Sequence, residues 1–240
     1  MRDTNWIESA CFSPDGTMVA AGSRDGAIKL WSLNGQLLHN FRNKYEVLAI
    51  SFSPNGQFIA FGDTRGNVET RNLNNIFIES DDVRSVISIG SPFNFSNDIK
   101  SLSFSPDSQL IASGGVDRSV KLWDLDGELL RTFQGHQGEV KSVAFSPDGK
   151  IIASASDDET VKLWRLDGQL IHTFRNRYDV CSVSFSPDGN TIAAGDELGF
   201  ITLWNWDLDN LMQLGCDWVR DYLQTNPNAS ESDRQMCGIR

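Results

Sequence analysis

Three histidines, His39, His136 and His172, and two adjacent acid pairs, Asp81-Asp82 and Asp157-Asp158, are the first candidates for metal binding or proton transfer in this sequence. Either chemistry needs such groups to converge on one ligand, and the spacing gives no convergence. His39 and His172 lie in two near-copies of one segment, Leu37-Leu38-His39-Asn40-Phe41 and Leu170-Ile171-His172-Thr173-Phe174. They therefore take equivalent surface positions instead of forming a metal pair. The acid pairs fall among turn residues, where Asp is favoured because its side chain bonds nearby backbone N–H groups. No Gly-rich phosphate loop, nucleophile elbow, metal-binding His pair or zinc-type Cys/His spacing occurs. The reading is non-enzymatic, with no catalytic residue, no metal and no cofactor.

The remaining chemistry is recognition. Arg42-Asn43-Lys44-Tyr45 and Arg175-Asn176-Arg177-Tyr178 each gather two cations and an aromatic ring. Arg and Tyr are favoured interface anchors, and the cations suit acidic or phosphorylated peptide segments. The candidate partner-binding residues are Arg42, Lys44, Tyr45, Arg175, Arg177 and Tyr178. With 21 Lys+Arg against 32 Asp+Glu, the chain carries a net charge of −11, which disfavours nucleic acid and anionic lipid surfaces.

The elements that position these residues are repeated. Phe12-Ser13-Pro14-Asp15-Gly16 recurs in variant form from Phe52, Phe104, Phe145 and Phe185. Nineteen residues after each Phe comes Trp31, Arg71, Trp123, Trp164 or Trp204. The unit is about forty residues long and cannot bury its core alone. In the unit from Val140, alternation predicts a first strand to Ser146, and Ser146-Pro147-Asp148-Gly149 predicts a turn. Strands over 151–156, 161–164 and 169–174 follow, separated by turns at Asp157-Asp158-Glu159-Thr160 and Asp167-Gly168. The result is one small antiparallel sheet of four strands.

The unit resembles the WD-repeat (WD40) β-propeller blade, over about residues 6–206. The fullest match is Gly135-His136 with Ser154, Asp158 and Trp164, the family's blade-locking set. Asp25 with Trp31, Asp117 with Trp123, and Trp204 match it in part. Arg65 and Leu198 replace the lock Asp in the second and fifth units, and Asn43 and Asn176 replace its His. The third unit has Phe95 at the His position. These departures predict looser locking in blades two and five, with the Arg and Tyr of the basic loops filling the missing lock as the plainer account of them. The resemblance implies an all-β propeller array of five four-stranded blades, over about 6–42, 45–79, 98–134, 138–175 and 178–206. The last blade is incomplete and the ring need not close. It also implies a protein-interaction scaffold that binds a protein or peptide through inter-blade loops. The alternatives are a regulatory or sensor fragment of a larger signalling protein and, more remotely, a propeller-based enzyme.

The acids at the first-strand entrances, Glu46, Asp98, Glu139 and Asp179, read as turn formers. The excess at 79–97 reads as a long loop. Leu208, Leu211, Met212, Gly215, Val219, Tyr222 and Leu223 recur at helical spacing, so 207–240 is read as a C-terminal helical tail covering the last blade, with Asn226-Pro227 stopping the helix. From Gly215-Cys216-Asp217-Trp218 onward it is similar to tails of bacterial, particularly cyanobacterial, WD-repeat proteins. Five blades leave the closure open, so self-association or a second chain completing the ring is expected as an alternative to an open arc. No apolar run nears the roughly 18 residues a membrane span needs, and the N-terminus has no secretory core. The expected location is cytoplasmic. On that ground Cys216 and Cys237 are expected to stay unpaired, and Cys11 and Cys181 to be core residues.

Overall fold

The computed structural model describes residues 6–76 and 97–206, with 216, 219–220, 222–226, 230–231, 235 and 237 of the tail. Among these residues eighteen strands form five antiparallel sheets, each a simple meander. Blade one holds β1 (Ile7–Phe12), β2 (Met18–Ser23), β3 (Ala27–Ser32) and β4 (Leu37–Arg42). Blade two holds β5 (Val47–Phe52), β6 (Phe58–Asp63) and β7 (Val68–Asn72), then one helical turn, α1 (Leu73–Ile76). Blade three holds β8 (Ile99–Phe104), β9 (Leu110–Gly115), β10 (Val120–Asp124) and β11 (Leu129–Phe133). Blade four holds β12 (Val140–Phe145), β13 (Ile151–Ser156), β14 (Thr160–Arg165) and β15 (Leu170–Arg175). Blade five holds β16 (Val180–Phe185), β17 (Thr191–Asp196) and β18 (Ile201–Asn205). Among the described residues blade two thus has three strands, not four. The expected loop lies outside the described residues apart from Asn97. In the tail, 216, 219–220 and 222–225 are helical and Asn226 is not. The helical start near Leu208 and the tail resemblance fall mostly outside them.

The turn after each first strand is built as its sequence dictates. Ser146 N–H bonds the Ile151 carbonyl at 2.8 Å, and the Gly149 N–H returns to Ser146 at 2.9 Å. The Ser146 hydroxyl donates to Asp148 at 2.6 Å and accepts the Ile151 N–H at 3.0 Å. Ser13, Ser53, Ser105 and Ser186 make the same hydroxyl contact to Asp15, Asn55, Asp107 and Asp188. Ser108 stands where the other four turns have Gly, and holds φ at 62°. Its hydroxyl accepts the Asn55 N–H of blade two at 3.1 Å, which a glycine could not do.

Simple alternation fails in the first strands for one reason. In all five blades the register slips after the first paired residue, as between Val140 and Ser142. This bulge adds a residue to one strand and puts Val140 on the buried side with Val143 and Phe145.

The core lies between blades. Val161 and Leu163 of blade four pack on Val180, Val183 and Ile192 of blade five. Val120 and Leu122 pack in the same way on blade four, and Ile28 and Leu30 on blade two. The first strands β1, β5, β8, β12 and β16 lie side by side in that order. Among the described residues the series does not close into a ring, and Ile7 and Phe12 at one end and Ile201 and Leu203 at the other are exposed.

Two cysteine expectations are corrected. Cys216 and Cys237 form a disulfide with Cα atoms 5.2 Å apart. The expectation of free thiols rested on an assumed compartment, whereas the folded tail brings the two within bonding reach. Cys181 is exposed on β16, whereas Cys11 on β1 is half-buried and packs against the core between blades one and two, as expected. The counterparts of Cys181 on β5, β8 and β12, Leu48, Lys100 and Lys141, are only half-buried, so the position lies outside the core.

Candidate partner-binding loops and their locks

One edge of the array collects the turns between second and third strands and the loops leading into first strands. A single backbone bond repeats along it. The carbonyls of Trp6, Glu46, Asp98, Glu139 and Asp179 accept N–H bonds from Arg24, Thr64, Val116, Asp157 and Glu197 at 3.0–3.2 Å. The bond is a backbone one, made by Trp6 as by the acids, and two of the acid side chains hold lysines: Lys100 pairs with Asp98, and Lys141 with Glu139 and Asp157.

Blade four carries the complete lock. His136 is buried, with Nδ1 2.8 Å from the Asp158 carboxylate and Nε2 2.7 Å from the Ser154 hydroxyl. Trp164 Nε1–H donates to the same hydroxyl at 2.8 Å. The carboxylate accepts the Nδ1 proton, and with a pKa below the ordinary value the ring is neutral at pH 7, so that Nε2 accepts from Ser154. Burial lowers the His136 pKa, against the opposing pull of Asp158. Burial alone would raise Asp158, but hydrogen bonds from Thr160, the Gln137 N–H and His136 hold it below the ordinary value. In blade three Trp123 keeps its bond to Ser113 at 2.8 Å, and Asp117 holds Ser119 and Lys121. In blade one Asp25 takes the Ser23 hydroxyl and the Ala27 N–H, while Trp31 is buried. Trp204 is half-buried and stacks on Phe174, with centroids 4.9 Å apart.

Blades two and five carry a different set of lock residues. Asn43 Nδ2 donates to Asp63 at 3.0 Å, and Asn176 Nδ2 to Asp196 at 3.1 Å. Asp63 also receives the N–H groups of Arg65 and Asn67 and the Asn67 amide. Asp196 receives the N–H groups of Leu198 and Phe200. The carboxylate has moved two residues earlier in the turn, in step with the exchange of His for Asn. Asp63-Thr64-Arg65-Gly66 and Asp196-Glu197-Leu198-Gly199 spell that shift in the sequence.

The cations beside each lock Asn are exposed, while Tyr45 and Tyr178 are half-buried. Arg42 is exposed and lies 3.9 Å from Asp25. Lys44 Nζ and the Arg65 guanidinium sit 5.3 and 5.2 Å from the Tyr45 ring centroid. In the second loop Arg177 lies 5.4 Å from Tyr178, whose ring stacks on Phe200 at 6.2 Å. Arg175 is exposed beside it. The structure does not bring the loops together: one sits between blades one and two, the other between four and five. Sequence reasoning missed Arg65 and Phe200, which occupy the turn opposite each Tyr. The signal was there in the paired loss of the lock Asp. Neither Arg nor Tyr fills the lock, because the Asn–Asp pairs do.

Blade two departs further. Arg71 replaces the Trp and lies 5.4 Å from Phe41 of blade one, where blades four and five set Trp164 and Trp204 beside Phe133 and Phe174. Glu69, on the same strand face, is 3.9 Å from Arg71. Burial pushes the Glu69 carboxyl up, with Arg71 opposing. Arg71 Nε is buried without a hydrogen-bond partner.

His39 stacks on Phe41 and His172 meets Phe174 edge-on, each on the outermost strand of its own blade. No group of three or more His, Cys, Asp or Glu that could hold a metal ion occurs among the described residues. No helix among them is long and apolar enough to cross a membrane.

The sequence model of the family described as WD domain, G-beta repeat matches residues 2–32, 87–124, 127–165 and 168–205. Together these make up more than half of the chain. Each match ends just past a third-strand Trp. The stretch 33–86, with Arg71, Glu69 and the moved lock of blade two, is left unmatched. Among curated proteins the chain is similar to the small ribosomal subunit protein RACK1 of Schizosaccharomyces pombe, 28% identical over 51% of this chain and 38% of that protein. It is similar to GID complex subunit 7 of the same organism, 25% identical over 55% of this chain and 25% of that protein. It is also similar to telomerase protein component 1 of Rattus norvegicus, 28% identical over 49% of this chain and 4% of that protein. The matches thus span well under half the length of each relative.

Proposed function

The chain belongs to the WD40 family, and on that premise we propose that it is a non-catalytic scaffold binding a protein or peptide partner along the loop-bearing edge. The observation that carries this is the placing of Lys44 and Arg65 over Tyr45, with exposed Arg42 3.9 Å from Asp25, on a loop pinned by Asn43 to buried Asp63. A fixed backbone with projecting cations costs little ordering on binding, and guanidinium groups bond carboxylates and phosphates in bidentate fashion. The second loop offers Arg175 and Arg177 beside the Tyr178–Phe200 stack, a mixed cationic and aromatic surface. Both suit acidic or phosphorylated segments of a protein partner. The relatives agree with a scaffold in so far as each is named as part of a larger assembly.

An array of acidic and phosphorylated peptides, probed with wild type and with an Arg42→Ala/Arg175→Ala double variant, tests this reading. Wild type should retain the acidic peptides. The variant should bind them at least about tenfold more weakly, since a hydrogen bond to a charged group contributes about 1.5–3 kcal/mol. An identical binding pattern for the two proteins sinks the assignment of these loops.

A further inference from the structure

We propose that the open face of blade five docks onto blade one of a second copy of this chain, head to tail. This surface is separate from the basic loops, and the internal blade junctions define it.

Those junctions are made of four recurring contacts. The first is a slot. A Cβ placed on Gly22, Gly62 or Gly114 would lie 2.4–2.5 Å from side-chain atoms of Val47, Ile99 or Val140 in the next blade. Gly195 holds that place in blade five, and nothing lies within 4 Å of its Cβ position. The residue of blade one that matches Val47, Ile99 and Val140 is Ile7, which is 42% exposed.

The second contact is a turn against a turn. Gly56, Gly149 and Gly189 rest on Pro14, Pro106 and Pro147 of the preceding blade, with Cβ positions 3.4–3.6 Å away. Gly16 of blade one rests on nothing within 4 Å, and Pro187 is the matching proline of blade five. The third is a hydrogen bond between first strands. Ser9, Ser101 and Ser142 accept the N–H groups of Ile50, Val143 and Val183 in the next blade at 3.0–3.2 Å. Ser182 has this position in blade five and is exposed. The equivalent amide of blade one belongs to Ala10.

The fourth contact is apolar. Val161 and Leu163 are fully buried against blade five, while Ile201 and Leu203, their counterparts on β18, are 75% and 66% exposed. On blade one Phe12 is 68% exposed, although its counterparts Phe52, Phe104 and Phe145 are buried. Each half-contact missing from one end is present on the other end of the same chain. That continuity with the four internal junctions identifies the occupant as a second copy. Unlike surfaces meet, so the contact is heterologous and propagates until it closes or is capped.

Light scattering or sedimentation equilibrium of the 240-residue chain tests the proposal. Wild type should show a mass that rises with concentration. Gly195→Glu fills the slot of blade five, at a position where a side chain meets nothing in the single chain. Phe12→Glu places a charge on the exposed ring position of blade one. Each variant alone should stay monomeric with an unchanged circular dichroism spectrum. Their equimolar mixture should reach roughly double the monomer mass, because it supplies one intact end of each kind. Leu203→Glu replaces Gly195→Glu should the latter fail to fold. A wild type that stays monomeric overturns the proposal, whether residues after 206 or another protein then cover the face. So does a single variant that still associates with itself, or a mixture that stays monomeric while wild type associates.

Discussion

His136 shows how much one side chain holds. Its neutral ring bridges Asp158 and Ser154, and Ser154 in turn receives Trp164. Burial keeps its folded pKa below the ordinary histidine value of about 6.5. Between that lowered value and about 6.5 the unfolded chain binds a proton that the folded chain does not, so stability rises with pH there. The contribution is complete above pH 6.5 and is lost as the pH falls through the folded pKa. Asp158 is also depressed, and its contribution is lost only in the more acidic range below its ordinary 3.8. His136→Asn, which installs the residue that blades two and five use, should cost on the order of 1–3 kcal/mol. It should also flatten the decline in urea midpoint from pH 7 to 5. An equally steep decline in the variant would show that His136 is not its source. The thiols provide a second test at this scale. Cys11 is pushed up to about 11 by burial, and Cys181 is exposed. A thiol reagent at neutral pH should label Cys181 promptly, label Cys11 only on unfolding, and leave Cys216 and Cys237 unmodified. Prompt labelling of four cysteines would contradict the disulfide.

The element scale is where the sequence was most and least legible. Four strands per unit follow from turn residues and apolar spacing, and the bounds of β13 coincide with the run from Ile151 to Ser156. The bulge in each first strand was hidden, because one extra residue leaves no mark in composition while reversing which side chains face inward. The moved locks were hidden for another reason. Reading each position against a fixed template scored Arg65 and Leu198 as losses, although Asp63 and Asp196 stood two residues away. Only the coincidence of Asn43 with Asp63, and of Asn176 with Asp196, carries the information, and it is a relation between turns twenty residues apart. The two locks should differ in strength. Asp63 is buried and satisfies four donors, so Asp63→Ala should destabilise by about 2–4 kcal/mol through groups left unpaired. Asp196 is half-buried with three donors on a terminal blade, so Asp196→Ala should cost clearly less. Denaturant midpoints that rank the two in the opposite order would show that the Asn–Asp pairs do not set blade stability.

For the whole molecule, the order of blades governs stability more than the completeness of any lock. A repeat array owes its stability to nearest-neighbour interfaces as well as to each unit. Blades two, three and four each pack between two neighbours, whereas blades one and five have one. The burial follows on the third strands: β7, β10 and β14 each hold at least three buried residues, while their counterpart β18 alternates exposed and half-buried. Amide exchange should therefore be slowest on β6, β9 and β13 and fastest on β1 and β18, with opening from the ends inward. Blade two, despite Arg71 and its rearranged lock, should rank with the interior blades. Faster exchange on β6 than on β17 would mean that lock chemistry outweighs position. The same measurement separates the single arc from the assembled one. In a head-to-tail assembly blades one and five each gain a neighbour, so protection of β1 and β16–β18 should climb with protein concentration by mass action. β9 has its neighbours already and should not respond. End-strand protection that ignores concentration would leave the arc solitary, with Gly195 and Ile7 facing solvent.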